Sequence, residues 1–173
     1  MSSKPSRPSS AAFLLAQLGA HVAKQFAERL SPLNLVPAYA GILRMLNLSS
    51  GLSQRELATR LGMHASRLVG IVDEMESFGL VLREGNAEDR RTYSLQITLK
   101  GREIVAQIGK IAREHNDTVC AALSVEERET LAGLLQRIAD EQGLTRGVHP
   151  GFSRLGGNAA GTVTSGKVET KEL

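Results

Sequence analysis

Three arginines, Arg67, Arg90 and Arg91, are the residues whose type and setting offer the most chemistry in this chain. A guanidinium is a rigid planar fork of donors that meets two acceptors at once, on a carboxylate, a phosphate or a guanine edge. Arg67 stands near the start of an amphipathic segment, with His64, Ser66 and Gly70 on the same polar side. Serine and histidine serve the same kinds of partner, and a glycine lets another backbone or a ligand come close. Arg90 and Arg91 occupy the polar run 85–92, where Asp89 can pair with Arg91 and hold its planar head. Arg83 is one further cation placed to touch a phosphate, and Ser53 and Gln54 add polar groups at the start of the preceding helix.

The other reactive types do not assemble. Cys120 is the one cysteine, so an internal disulfide and a Cys-rich zinc site are both excluded. It lies among Val119, Ala121 and Ala122 with no adjoining cation, which favours a buried structural thiol over an oxidation sensor. His21, His115 and His149 have no second ligand at metal-binding spacing. There is no nucleophile with a base and no phosphate-binding glycine loop. The expectation is a protein that is not an enzyme and needs no metal or cofactor.

The elements that must position the arginines follow from periodicity. Residues 11–30 read as a helix, with Leu15, Leu18, Val22, Phe26 and Leu30 at spacings of three and four, ended by Ser31-Pro32. A second helix runs from Pro37 to about Asn47. Ser53-Gln54-Arg55-Glu56 is a capping box for a third, which Gly62 stops. The fourth runs from about Ala65 to Phe78, with Leu68, Ile71, Val72 and Met75 inward, and Gly79-Leu80 fits a Schellman cap. Its acids, Asp73, Glu74 and Glu76, gather at the end away from Arg67. The period then changes to two, giving strands at 81–84 and 93–97 around the charged hairpin tip. Thr98 caps a fifth helix reaching about Cys120, and Ser124-Val125-Glu126-Glu127 is a capping box for a sixth that ends near Gly143.

Helix, turn, helix and hairpin in this order predict a winged helix-turn-helix, mainly α with a small β wing. In such folds the second helix enters the major groove of DNA with its leading residues on the base edges. Arginines at a hairpin tip suit a narrow minor groove. Each part alone is common and reads as ordinary packing or a solvated surface; their succession carries the reading. The net charge of +3 permits a nucleic-acid partner without requiring one. Aromatics are only 3% of the chain, so the core must be aliphatic. The first, fifth and sixth helices carry more apolar surface than a lone winged domain needs, which favours a dimer. A two-fold dimer would set its recognition helices ~34 Å apart, one DNA turn.

At this point the residues resemble the MarR family of bacterial transcription regulators. The resemblance covers roughly residues 35–105 and rests on Leu35-Val36-Pro37, the run Leu52 to Gly62, the run Leu68 to Val81, Asp89-Arg90-Arg91, and Ile97-Thr98-Leu99-Lys100-Gly101-Arg102. It implies a homodimer with intertwined terminal helices, bound to a pseudo-palindromic operator on double-stranded DNA. It further implies a repressor relieved by a small phenolic or lipophilic effector, and a wing pair made by Asp89 and Arg91. A pocket between the dimer helices and the DNA-binding lobe is implied as well, and His21, Tyr39 and Arg44 are the polar residues proposed to line it. The chain departs from the family's pattern at Ala65, Arg67 and Gly70, at Val36, and in its Gly-rich tail.

The expected organisation is a disordered start (1–10), a dimerisation helix (11–34), the DNA-binding lobe (35–99), C-terminal dimerisation helices (100–143) and a disordered tail (144–173). No secretory signal or membrane span is legible, so a cytoplasmic protein is expected. The alternative is a winged-helix interaction module or scaffold that binds no DNA. Cations at both groove-reading positions, Arg67 and Arg90–Arg91, argue against it.

Overall fold

Local capping sets where the helices begin. In the computed structural model, which describes residues 10–85 and 93–154 (backbone only for Ser153 and Arg154), α1 spans Ala11–Leu30. Ser10 Oγ accepts from the Phe13 N–H at 3.2 Å. A 3-10 turn, Ser31–Leu33, follows and leads into Asn34 at φ 54°. α2 covers Pro37–Leu48, with Pro at its first position. α3 covers Gln54–Leu61, and both halves of the Ser53/Glu56 capping box are formed.

α4 covers Ala65–Ser77. It closes as the sequence implies: Gly79 takes φ 68° and the Leu80 N–H bonds the Met75 carbonyl at 2.9 Å. α5 covers Leu99–Val119 and α6 covers Val125–Glu141, started by Thr98 and by the Ser124/Glu127 box.

The sheet has three antiparallel strands. β1 is Leu52–Ser53, β2 Val81–Gly85 and β3 Tyr93–Ile97, in the order β1-β3-β2. The two-residue β1 was not legible in the sequence, being too short to show a period. It pairs Leu52 with Leu95, while β2 pairs Val81 with Ile97. Leu52, Val81, Leu95 and Ile97 all face the core. That core is aliphatic, built on Ile42, Leu43, Leu46, Leu57, Leu68, Val72 and Met75.

One glycine explains a motif. A Cβ on Gly101 would stand 2.2 Å from the Leu80 carbonyl oxygen, so α5 can start against the end of α4 only with glycine there. Thr98 Oγ1 donates to the Gly79 carbonyl at 2.7 Å and Lys100 Nζ to the Phe78 carbonyl at 2.8 Å. The chain leaving β3 thus caps the helix that precedes the wing.

Two expectations are corrected. The tail was expected to lack structure from residue 144, yet 144–154 is ordered onto the fold. Leu144 N–H bonds the Ala139 carbonyl at 3.0 Å, Arg146 pairs with Asp140 at 2.5 Å, and a short helix α7, Gly151–Arg154, buries Phe152. Its one large apolar ring was overlooked among the glycines. Cys120, expected to be buried, is half-buried at the end of α5, where Arg128 Nε donates to its carbonyl at 2.9 Å.

The terminal helices leave apolar surface open. Phe13 and Leu18 of α1 are 57% and 55% exposed, and Leu134 and Ile138 of α6 are 49% and 45% exposed. No helix of the described residues is long and apolar enough to cross a membrane.

Candidate nucleic-acid interface

The leading end of α4 is built to be met from outside. Its N-cap residue, His64, makes no side-chain capping bond, and the first turn holds no acid. The N–H groups of Ala65 and Ser66 have no acceptor among the described residues. Open donors and the positive end of the helix dipole together favour an anion. His64, Ser66, Val69 and Gly70 are exposed. Arg67 is half-buried, with its Nε enclosed and bonded to nothing among the described residues. An added Cβ at Gly70 would touch nothing within 4 Å, so the fold of the single chain does not demand that glycine.

α3, which begins at Gln54, packs against α4. Gln54 Nε2 is a second enclosed donor without a partner among the described residues. Ser53 is differently placed: its hydroxyl is engaged with Glu56, at 2.8 Å to the carboxylate and 3.2 Å to the N–H. These bonds to Ser53, backbone first, hold the Glu56 carboxyl below its ordinary pKa.

The acids in the far half of α4 are tied down from within. Arg83 was expected to reach a phosphate, but its guanidinium is occupied, 2.5 Å from Asp73 and also bonded to Glu76. Its backbone N–H donates to Glu76 at 3.1 Å. The third acid, Glu74, accepts the hydroxyl of the buried Tyr39. Burial first, then this bond and the Glu74 charge, push the Tyr39 pKa up to about 12. All three acids of α4 are therefore engaged by α2 or β2. Sequence reasoning saw the acids gathered at that end but not their partners, which lie far off along the chain.

Asp89, Arg90 and Arg91 lie outside the described residues. The described strands end at Gly85 and resume at Tyr93, which pair with each other. Of the residues expected to line an effector pocket, Tyr39 is buried and bonded to Glu74. His21 and Arg44 are exposed on α1 and α2. Two open surface grooves, on α5 and α6, are lined by none of the three. Val69, 41% exposed on the outer side of α4, is a contact candidate that the sequence reading passed over. Its signal was its place off the Leu68/Val72/Met75 stripe.

A family model described as the MarR family matches residues 33–92. A predicted transcriptional regulatory protein for the hcr operon of Thauera aromatica is 34% identical over 116 residues, which is 66% of this chain and 70% of that protein. Among solved structures, the transcriptional repressor CouR bound to a 23-mer DNA duplex is 31% identical at TM-score 0.68, over 75% of this chain and 92% of that one. The MarR family protein Rv2887 of Mycobacterium tuberculosis, in complex with DNA, is 25% identical at TM-score 0.66, over 75% and 98%.

Proposed function

This chain belongs to the MarR family, and from that premise we propose how it works: as a homodimeric, sequence-specific DNA-binding transcription regulator that represses until a small ligand releases it. It acts by binding rather than by catalysis, in the cytoplasm. The first two turns of α4 enter the major groove. Arg67 takes a guanine edge or a phosphate with its fork, and His64 and Ser66 take bases or phosphates. Gly70 lets the backbone close on the duplex, and Val69 can lie against a thymine methyl. Gln54 meets the DNA backbone from α3, while Ser53, whose hydroxyl and N–H are both engaged with Glu56, holds the start of that helix rather than touching DNA. Asp89, Arg90 and Arg91 reach the flanking minor groove. Arg83 braces the wing rather than touching DNA.

One observation supports this reading above the rest. The donors of α4 are open at its leading end, while every acid of the same helix is engaged. An anionic polymer is attracted at the leading end, while at the far end the acids are held in internal bonds and Arg83 offsets one of their three charges. The open apolar faces of α1 and α6 support the homodimer, since unpartnered stripes of this size favour association.

A phenolic or lipophilic effector belongs to the same proposal, with His21, Tyr39 and Arg44 as its contacts. Tyr39 has the direct route, because a ligand that takes its hydroxyl frees Glu74 on the DNA-reading helix.

The test is a mobility-shift titration against the DNA upstream of the chain's own gene, repeated across salt. Expected is a sequence-dependent shift whose affinity falls steeply as salt rises. Binding that ignores sequence, or none, would leave a protein-interaction module instead.

A further inference from the structure

We propose that the face of α2 around Gly41 is a socket for one aromatic ring, which the chain's own Phe152 fills. The proposal is independent of how the protein meets DNA. Phe152 belongs to a helix of only four residues, yet it is 7% exposed and joins the main apolar core. A Cβ built on Gly41 would stand 2.3 Å from Cζ of that ring and 3.0 Å from Cε2. The leading edge of the ring therefore occupies the space that any side chain at position 41 would need. Seat and ring are complementary in shape, and glycine makes the seat.

The segment that delivers the ring is a strap running from the end of α6. Gly143 and Gly147 turn it at φ 68° and 72°. Arg146 pairs with Asp140 on exposed ground, and Val148 is partly packed on the core. Gly147 runs beside the Arg44 guanidinium, its Cβ position 3.9 Å from both terminal nitrogens. Gly41 and Arg44 are three residues apart, so the strap crosses one face of α2. Ordering such a segment costs conformational entropy at every residue, and burial of the Phe152 ring is its main apolar return. A free monocyclic aromatic molecule, unburdened by the strap, competes for the same seat.

Benzene is the probe, with full-length wild type, Phe152→Ala and the double variant Phe152→Ala with Gly41→Ala. Melting temperature and the rate of tryptic cleavage after Arg146 are measured. Phe152→Ala is expected to melt roughly 5 °C lower and to be cut about ten-fold faster. Benzene restores part of the melting temperature in Phe152→Ala, as small aromatics do in ring-sized apolar cavities. It shifts the wild type less, because the seat is taken, and the double variant not at all, because the added methyl fills it. Wild-type melting and cleavage in Phe152→Ala would overturn the seating of the ring. An equal benzene shift in all three proteins would overturn the socket. Should Phe152→Ala fail to fold, Phe152→Leu carries the same readouts.

Discussion

The guanidinium of Arg83 on β2 lies 2.5 Å from Asp73 Oδ1 on α4, a pairing that fastens the wing to the helix beside it. Glu76, one turn further along, binds the same guanidinium, and only 19% of the Arg83 side chain is exposed. One cation thus holds two carboxylates, offsetting one of their two charges, and ties β2 to α4.

Replacing it tests whether the wing is braced or merely charged. Arg83→Ala should cost about 1 kcal/mol of stability, the scale of a partly exposed charge-assisted pair. DNA affinity should fall with it, because two carboxylates are released. If Arg83 braces rather than touches phosphate, the slope of log affinity against log salt stays unchanged. A phosphate contact would lower that slope by about 1. Adding Asp73→Asn and Glu76→Gln to the variant should recover part of the binding, as read by fluorescence anisotropy.

Arg67 makes the opposite prediction. Its side chain bonds nothing among the described residues, so Arg67→Ala should leave urea unfolding nearly unchanged. Operator affinity should drop by about 1–3 kcal/mol, with relaxed preference at one base pair, if the fork reads a guanine. Equal affinity of variant and wild type for the selected operator would remove Arg67 from the interface.

Two glycines on neighbouring helices should respond with opposite sign. Gly70 has open space around its Cβ position, so Gly70→Ala should stabilise the free protein by about 1 kcal/mol through helix propensity. It should nevertheless weaken DNA binding if the backbone closes on the duplex there. Gly101→Ala gains the same propensity but drives a methyl into the Leu80 carbonyl. Overpacking of this kind costs about 1–3 kcal/mol or more, so net destabilisation is expected. Chemical denaturation of both variants, with a binding titration for Gly70→Ala, decides the point.

Acid should loosen the contact between α1 and α5. His115 is buried against Phe26, with ring centroids 5.5 Å apart, and among the described residues no hydrogen bond of good geometry reaches either ring nitrogen. Burial, and then the Arg29 charge, hold its pKa below the ordinary 6.5, with the Val22 backbone opposing only in part. In the unfolded chain the imidazole takes its proton at the ordinary value. The neutral ring's contribution is therefore present above about pH 6.5 and lost as pH falls toward the lowered folded value. Unfolding free energy should decline across that window in wild type and much less in His115→Leu. An identical pH profile in the variant would mean the ring is hydrated in solution.

Much of the scaffold was readable because its signals are local. The Ser53/Glu56 and Ser124/Glu127 boxes, the Gly62 and Gly79 stops and the change of period at Val81 each act within four residues. β1 escaped notice because two residues carry no period and it exists only through its pairing with Leu95 and Ser94. The helix of the candidate interface was legible for the same local reason: Arg67, Ser66 and His64 fall on one side of a predicted helix. Arg83 was not, since whether a lone cation on a strand faces solvent or an acid depends on what packs beneath it.

Chain-local physics, namely side-chain period, caps and backbone freedom at glycine, was enough to determine the six long helices, the two wing strands and which end of α4 carries its cation. Only the closed structure decided which charges remain available. Arg83 with Asp73 and Glu76, Tyr39 with Glu74, and Phe152 over Gly41 are meetings between residues remote in sequence. Such meetings follow from how the core packs and the loops close, and no neighbouring residue announces them.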